Sequence, residues 1–137
     1  MNGSERGSAS VEMVLITPVL VVLLLFVVAV GRLASAQGEV ESAARDAARA
    51  AASGRSSTAA QALGNAAATA TLADRGVECT SLTVEIDTSA FRADGIVGAT
   101  VHCVVDLEAV AGLGLPASRT LTSSFTAPVD RYRGADQ

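Results

Sequence analysis

Residues with reactive side chains are few in this chain, and none of them stands in a recognisable catalytic pattern. His102 is the single histidine, and Thr100 and Asp106 lie near it on the polar face of a predicted strand. No nucleophile elbow or glycine-rich oxyanion loop accompanies it, so nothing would orient a Ser-His-Asp arrangement. We therefore expect no catalytic residues, no enzymatic activity and no small-molecule substrate.

The other potential ligands are also sparse. Glu85, Asp87 and Asp94 do not follow EF-hand spacing, and solvated charges explain them better than a bound cation. Cys79 and Cys103 are not in C-x-x-C spacing, which excludes a zinc site or a thioredoxin-like motif. We expect no metal and no cofactor. The cysteine pair favours one disulfide in an exported segment, with two buried free thiols as the alternative.

Charge and composition exclude a further class of protein. The net charge is −4 and the ten basic residues are spread along the chain, so no basic face is available to neutralise phosphates. We expect no nucleic-acid partner. Half of the residues are apolar, yet the aromatic residues are three Phe and one Tyr. The apolar content is therefore mainly Ala, Val and Leu, which suits helix packing and membrane contact.

One apolar segment dominates the N-terminal part of the chain. Between Met13 and Val30 there is no charged residue, and Thr17 is the only polar one. A helix rises ~1.5 Å per residue, so this run spans about 27 Å, close to the hydrocarbon thickness of a bilayer. We predict one transmembrane helix over residues 8–31.

Two residues interrupt the apolar character of this helix. Pro18 has no N–H to donate and should kink or loosen the helix. Glu12 stands at its edge, where burial of an unpaired carboxylate would be costly. Residues 1–7 form a short polar leader that ends in Arg6-Gly7, and four small or apolar residues separate Gly7 from Glu12.

This leader resembles the class III signal of type IV pilins, in which a prepilin peptidase cuts after a Gly. Cleavage after Gly7 would make Ser8 the first mature residue and Glu12 the fifth, as the family pattern requires. The wider segment 5–53 resembles the TadE-like branch of the tight-adherence pilus system. Family members typically carry Phe or Tyr after the Glu, and this chain has Met13.

The resemblance implies a structural or assembly protein, a TadE-like minor pilin (pseudopilin) for biogenesis of a tight-adherence type IV pilus used in surface attachment. Its partners would be the membrane, a prepilin peptidase, other pilin-like subunits and the assembly machinery. In pilins the Glu is thought to pair with the N-terminal ammonium of a neighbouring subunit, so Glu12 would be the assembly residue. The N-terminus would be cytoplasmic and the C-terminal domain extracytoplasmic, the orientation that the positive-inside rule slightly favours.

A different processing site gives the alternative. Ala34-Ser35-Ala36 fits the small-x-small rule of signal peptidase I, which would release a product starting at Gln37. The long apolar run and Arg32 behind it favour the anchored form. The alternative function is a membrane-anchored or released extracellular interaction module unrelated to pili.

The helix is expected to continue past the membrane over residues 32–53, with Gly54 as its C′ residue. Glu41/Arg45 and Asp46/Arg49 are spaced for ion pairs on the wet face, and small-xxx-small spacings occur at Gly31/Ser35 and Ala34/Gly38. The expected apolar stripe is Leu33, Val40, Ala44, Ala47 and Ala51.

Residues 54–137 are predicted to form an extracytoplasmic domain. Ser56 or Ser57 caps a second helix that ends at Gly76. Three alternating strands follow, around residues 82–86, 100–107 and 120–127, with a hairpin at Asp94-Gly95 or a longer loop reaching Gly98. The fold class is α+β, with a long helix, a short helix and a three-stranded antiparallel sheet. The expected apolar face of the second helix is Ala59, Leu63, Ala66, Ala70 and Ala73.

In this sheet Cys103 would point inward, and Cys79 would precede the first strand. Hairpin register alone does not place the two cysteines opposite each other. A disulfide would require the Cys79 segment to fold back.

Overall fold

A computed structural model describes residues 6–108 and 116–131 of the chain and confirms the predicted α+β class. Residues 1–5 of the leader and the glycine-rich segment 109–115 lie outside the described residues. The elements are α1 (Arg6–Ala52), α2 (Ser57–Asp74), β1 (Ser81–Asp87), β2 (Ile96–Asp106) and β3 (Ser118–Pro128).

Helix α1 has 47 residues and is therefore about 70 Å long. It is continuous through Pro18, and the kink at this residue stays a prediction. The hydroxyl of Thr17 donates a hydrogen bond to the carbonyl of Met13 at 2.7 Å. The one polar side chain of the apolar run is thereby satisfied within the helix, as an apolar environment requires.

The C-terminal half of α1 carries the predicted apolar stripe. Leu33 is half-buried, and the other four predicted positions are fully buried. Because Ala side chains are short, this surface lets neighbouring elements approach the helix backbone closely. The fully buried residues on this half are Val40, Ala43, Ala44, Ala47, Ala48 and Ala51.

The turn from α1 to α2 depends on a serine and a glycine. Ser56 is the N-cap of α2, and its hydroxyl accepts a hydrogen bond from the N–H of Ala59 at 3.1 Å. Gly54 does not adopt the left-handed conformation predicted for a C′ residue. A Cβ on Gly54 would instead lie 2.7 Å from the backbone nitrogen of Ala60. Glycine is needed here because the two helices meet at close range.

Helix α2 ends as predicted, at Gly76. This residue has φ +68°, and its N–H donates to the Ala73 carbonyl at 3.1 Å. The N–H of Val77 donates to the Leu72 carbonyl at 3.0 Å, which completes a Schellman motif.

The predicted apolar face of α2 is wrong. Leu63 is 43% exposed, and the buried residues are Ala60, Gly64, Ala68 and Leu72. Both sets recur at helical spacing and consist mainly of small residues, so hydrophobicity alone could not choose between them. Gly64 decides the face, because its missing side chain lets α2 lie against Ala47 of α1 and Ile86 of β1.

The sheet is an antiparallel meander in the order β1-β2-β3. Cys103 of the central strand pairs with Leu82 on one side and Leu121 on the other. The connection between β1 and β2 covers residues 88–95 and includes the predicted Asp94-Gly95 turn, with Asp94 at φ 60°. The longer loop to Gly98 is not formed, since Gly98 belongs to β2.

The two helices cover one face of the sheet, with α1 over β2 and β3 and α2 beside β1. Polar side chains of α1 add contacts to the sheet and to α2 at the edges of this packing. Arg45 forms the predicted ion pair with Glu41 at 2.8 Å and also lies 5.3 Å from the centroid of the Phe125 ring. The predicted pair between Asp46 and Arg49 is absent from the described ion pairs. The carboxylate of Asp46 instead accepts a hydrogen bond from Thr71 of α2 at 3.0 Å.

Candidate functional site

The N-terminal half of α1 projects from the domain as a bare apolar helix. Its large side chains from Met13 to Val30 are between 44% and 74% exposed. The segment is long and apolar enough to cross a membrane. An exposed apolar surface of this kind marks a site of contact with a membrane or with another protein.

The folded domain begins almost where the apolar run ends. Leu33 and Ala36 pack against the core, and the Gln37 side chain donates to the Thr122 carbonyl of β3 at 3.1 Å. Only two residues separate Val30 from Leu33, a rise of about 4.5 Å along the helix. The domain is therefore joined to the apolar run by a continuous helix, without a flexible linker.

Glu12 is exposed at the N-terminal end of the candidate span. It forms no ion pair with another described residue. Within a bilayer, such a carboxylate would need a cationic partner. Gly7 and Ser8 lie in the first turns of α1, and cleavage between them stays a prediction.

Two glycines of α1 face open space. A Cβ on Gly31 or on Gly38 would meet nothing within 4 Å, although glycine inside a helix costs about 1 kcal/mol relative to alanine. Both lie on the exposed small-residue surface where α1 leaves the predicted membrane region, together with Ser35. The contacts within the described chain do not explain these glycines.

The predicted disulfide is present between Cys79 and Cys103, whose Cα atoms are 5.3 Å apart. The segment before β1 folds back as this pairing requires. Thr80 marks the bend, since its N–H and its hydroxyl both donate to the Val104 carbonyl, at 2.8 and 3.0 Å. The disulfide therefore ties the connection between α2 and β1 to the central strand.

Other polar residues considered in the sequence analysis form hydrogen bonds or ion pairs within the domain. His102 shares a 2.9 Å hydrogen bond with the Thr122 hydroxyl on the outer face of the sheet. Asp94 binds Arg131 at 2.9 Å and so fastens the end of β3 to the β1–β2 loop. Asp87 accepts hydrogen bonds from the hydroxyl and the N–H of Ser89, which together lower the pKa of its carboxyl from the ordinary value of 3.8.

Comparison with known proteins bears on the long helix. Residues 7–49 match the family model described as TadE-like protein. The matched segment lies within helix α1. No curated protein and no solved structure matches the chain.

The TadE-like match begins at Gly7 and covers all but the ends of α1. It includes the bare apolar half of the helix and most of the half that packs on the domain, and it stops before α2. The matched segment therefore contains the part of the chain that is long and apolar enough to cross a membrane.

Sequence reasoning missed one ion pair, where the C-terminal half of α1 packs beside the end of α2. Glu39 of α1 and Arg75, which caps α2, form an ion pair at 2.8 Å. The two residues are 36 positions apart, and only the pairing of α1 with α2 brings them together. The one usable signal was that an arginine at a helix end often interacts with nearby acceptors.

Proposed function

We propose that this chain is a TadE-like minor pilin, or pseudopilin, that contributes to assembly of a tight-adherence type IV pilus for surface attachment. The observation that carries the proposal is the coincidence of the TadE-like match at residues 7–49 with a helix whose first half is bare and apolar. A helix of this kind can pass from a bilayer into a bundle of similar helices without changing its apolar surroundings. The role is structural, and no enzymatic step is part of it.

Processing is the first step of the proposed pathway. A prepilin peptidase would cut between Gly7 and Ser8 while the N-terminus is cytoplasmic and the domain is extracytoplasmic. Removal of the leader takes away Glu5 and Arg6. The mature helix would then carry only Glu12 as a charged side chain before Arg32, together with the new N-terminal ammonium.

Assembly is the second step, and Glu12 provides its specificity. Its carboxylate would pair with the N-terminal ammonium of a neighbouring subunit. An ion pair of this kind offsets the cost of holding a charge at low dielectric, and loss of one partner typically costs 3–5 kcal/mol. We therefore expect subunits to enter the pilus only after the leader has been removed.

Mass spectrometry of the mature protein tests the first step. The wild-type chain should begin at Ser8 when a prepilin peptidase is present and should keep its leader when the peptidase gene is deleted. Gly7→Val should block processing, and Gly31→Ala is the matched control that should not. A mature chain beginning at Gln37 would instead support the released interaction module.

Pilus incorporation of Glu12 variants tests the second step. Glu12→Gln keeps the shape of the side chain and removes its charge, so both Glu12→Gln and Glu12→Ala should be processed but absent from sheared pili. Glu85→Gln, on the exposed side of β1, is the control for loss of one carboxylate. Normal incorporation of both Glu12 variants would refute the assembly role.

A further inference from the structure

A cleft opens at the membrane-proximal end of the domain, between α1, the turn after α2 and the end of β2. Its volume is about 750 Å³, within the usual range for small-molecule sites. The cleft contains one side of the disulfide at Cys79 and is lined by five charged residues, namely Arg32, Glu39, Arg75, Glu78 and Asp106.

The position of this cleft relative to a bilayer follows from the continuous helix. Arg32 lies about 3 Å and Glu39 about 13.5 Å beyond Val30, the last residue of the apolar run. The polar headgroup layer of one leaflet is roughly 5–7 Å thick. Arg32 is therefore at headgroup depth when Met13–Val30 span the hydrocarbon core, while the upper part of the cleft faces water.

The ion pair between α1 and α2 brings further charges to the upper part of the cleft. Arg75 contacts Glu39 at 2.8 Å, and about half of its side chain remains exposed (53%). Glu78 follows three residues later in the exposed segment after α2. Asp106 ends β2 and uses one carboxylate oxygen to accept the N–H of Glu108 at 2.8 Å, so its second oxygen can accept from a ligand.

The balance of charges in the cleft indicates which class of ligand it would bind. Two arginines and three carboxylates give the cleft both signs and a small negative excess, which opposes a purely anionic ligand. No aromatic side chain is found among the described residues that line the cleft. Aromatic cages are the usual means of binding quaternary ammonium groups. A primary ammonium, in contrast, donates up to about three hydrogen bonds and suits carboxylate acceptors.

We propose that this cleft binds the headgroup of an aminophospholipid from the surrounding membrane. Arg32 and Arg75 contact the phosphate, and Glu78 and Asp106 accept from the primary ammonium. Bound lipid of this kind holds the domain in one orientation against the bilayer. The inference requires the membrane-inserted chain but does not depend on pilus assembly.

Lipid retention in native mass spectrometry tests the headgroup assignment. The full chain is transferred from detergent micelles containing equal amounts of phosphatidylethanolamine, phosphatidylcholine and phosphatidylglycerol with the same acyl chains. We expect phosphatidylethanolamine to be retained about fivefold over each of the other two, the size of effect that one or two half-exposed ion pairs produce.

Variants in the cleft make the test specific. Glu78→Gln combined with Asp106→Asn removes both proposed ammonium acceptors and leaves an oxygen for the Glu108 N–H, so the preference should fall to about onefold. Glu85→Gln, outside the cleft, should keep it. Equal retention of the three lipids by the wild type, or a preference that survives in the double variant, would overturn the proposal.

Crosslinking identifies the source of the ligand. A photo-crosslinking amino acid in place of Ser35, which lines the cleft, should give an adduct with the mass of a phospholipid in intact membranes. Soluble phosphoethanolamine at millimolar concentration should not suppress that adduct, because it has no acyl chains to hold it at the site. Suppression by the soluble compound, or adducts with proteins alone, would contradict the lipid assignment.

Discussion

Gly54 and Gly64 stand where a methyl group would collide with a neighbouring element. At Gly64 the Cβ would lie 2.6 Å from Cδ1 and 2.9 Å from Cγ1 of Ile86, and 3.3 Å from the backbone oxygen of Ala47. At Gly38 there is no neighbour within 4 Å. The same residue type therefore permits close packing at one position and leaves an open surface at the other.

This contrast gives a prediction at residue scale. Gly64→Val should destabilise the domain by about 1–3 kcal/mol, because a branched side chain must displace Ile86 or separate α2 from α1. Gly38→Ala is the control and should stabilise α1 by up to about 1 kcal/mol through helix propensity. Chemical denaturation in detergent micelles, followed by circular dichroism, measures both. A Gly64→Val protein as stable as the wild type would show that the helices do not meet at this point.

A second prediction concerns Asp87 and Ser89. Because the hydroxyl and the N–H of Ser89 donate to the carboxylate, the pKa of Asp87 is lower in the folded state than in the unfolded state. Its contribution to stability is thus complete above the unfolded pKa, near 3.8, and is lost as the pH falls through the folded pKa. Ser89→Ala should raise the pKa of Asp87 in a carboxyl NMR titration. An unchanged titration curve would exclude the hydroxyl as the cause.

At the scale of elements, the sequence predicted α1 well and α2 only in part. The buried stripe of α1 was readable because Val40 fixes its direction among the alanines. In α2 the larger residue Leu63 pointed to the wrong face, while Gly64 and Leu72 mark the buried one. Periodicity gives the existence of a helix, but the choice among faces rich in small residues depends on what packs against them.

One part of the candidate site could be predicted from local sequence, and another part depends on contacts between residues far apart in the chain. Glu12 could be found from sequence because its position against an apolar run has physical meaning on its own. The cleft containing Arg32, Arg75 and Asp106 could not, since these residues come together only when α2 returns along α1 and β2 ends beside it. The structure around Cys79 could be predicted only in part. The pairing was expected, but the bend at Thr80 that permits it leaves no pattern in the sequence.

The disulfide gives a prediction for the connection between α2 and β1. Cys79 and Cys103 are separated by 24 positions, and loop-closure entropy for this length suggests a stabilisation of about 3.5 kcal/mol. The Cys79→Ser/Cys103→Ala protein should lose stability by this amount in chemical denaturation. Reductant should destabilise the wild type similarly and leave the double variant unaffected. If reductant has no effect on the stability of the wild type, the disulfide does not support the fold.

At the scale of the whole molecule, the two halves of α1 have different surroundings. The large side chains from Met13 to Val30 are exposed and outside the core, while the buried stripe from Val40 to Ala51 forms the centre of the core. Gly31 lies between the two parts, and a Cβ at this position would meet nothing within 4 Å. Within the described residues, the rotation of the domain relative to the apolar segment is therefore set by the continuous helix.

Insertions after Gly31 test whether this rotation has a function. A helix turns about 100° per residue, so two added alanines rotate the domain by about 200° and four rotate it by about 40°. Both variants should keep the stability of the wild type, because the contacts of the domain begin at Leu33. If α1 is a continuous assembly surface, the two-residue variant should be absent from sheared pili and the four-residue variant should retain part of the wild-type level. Equal incorporation of both variants would mean that the helix acts only as an anchor, because an anchor does not require a fixed rotation.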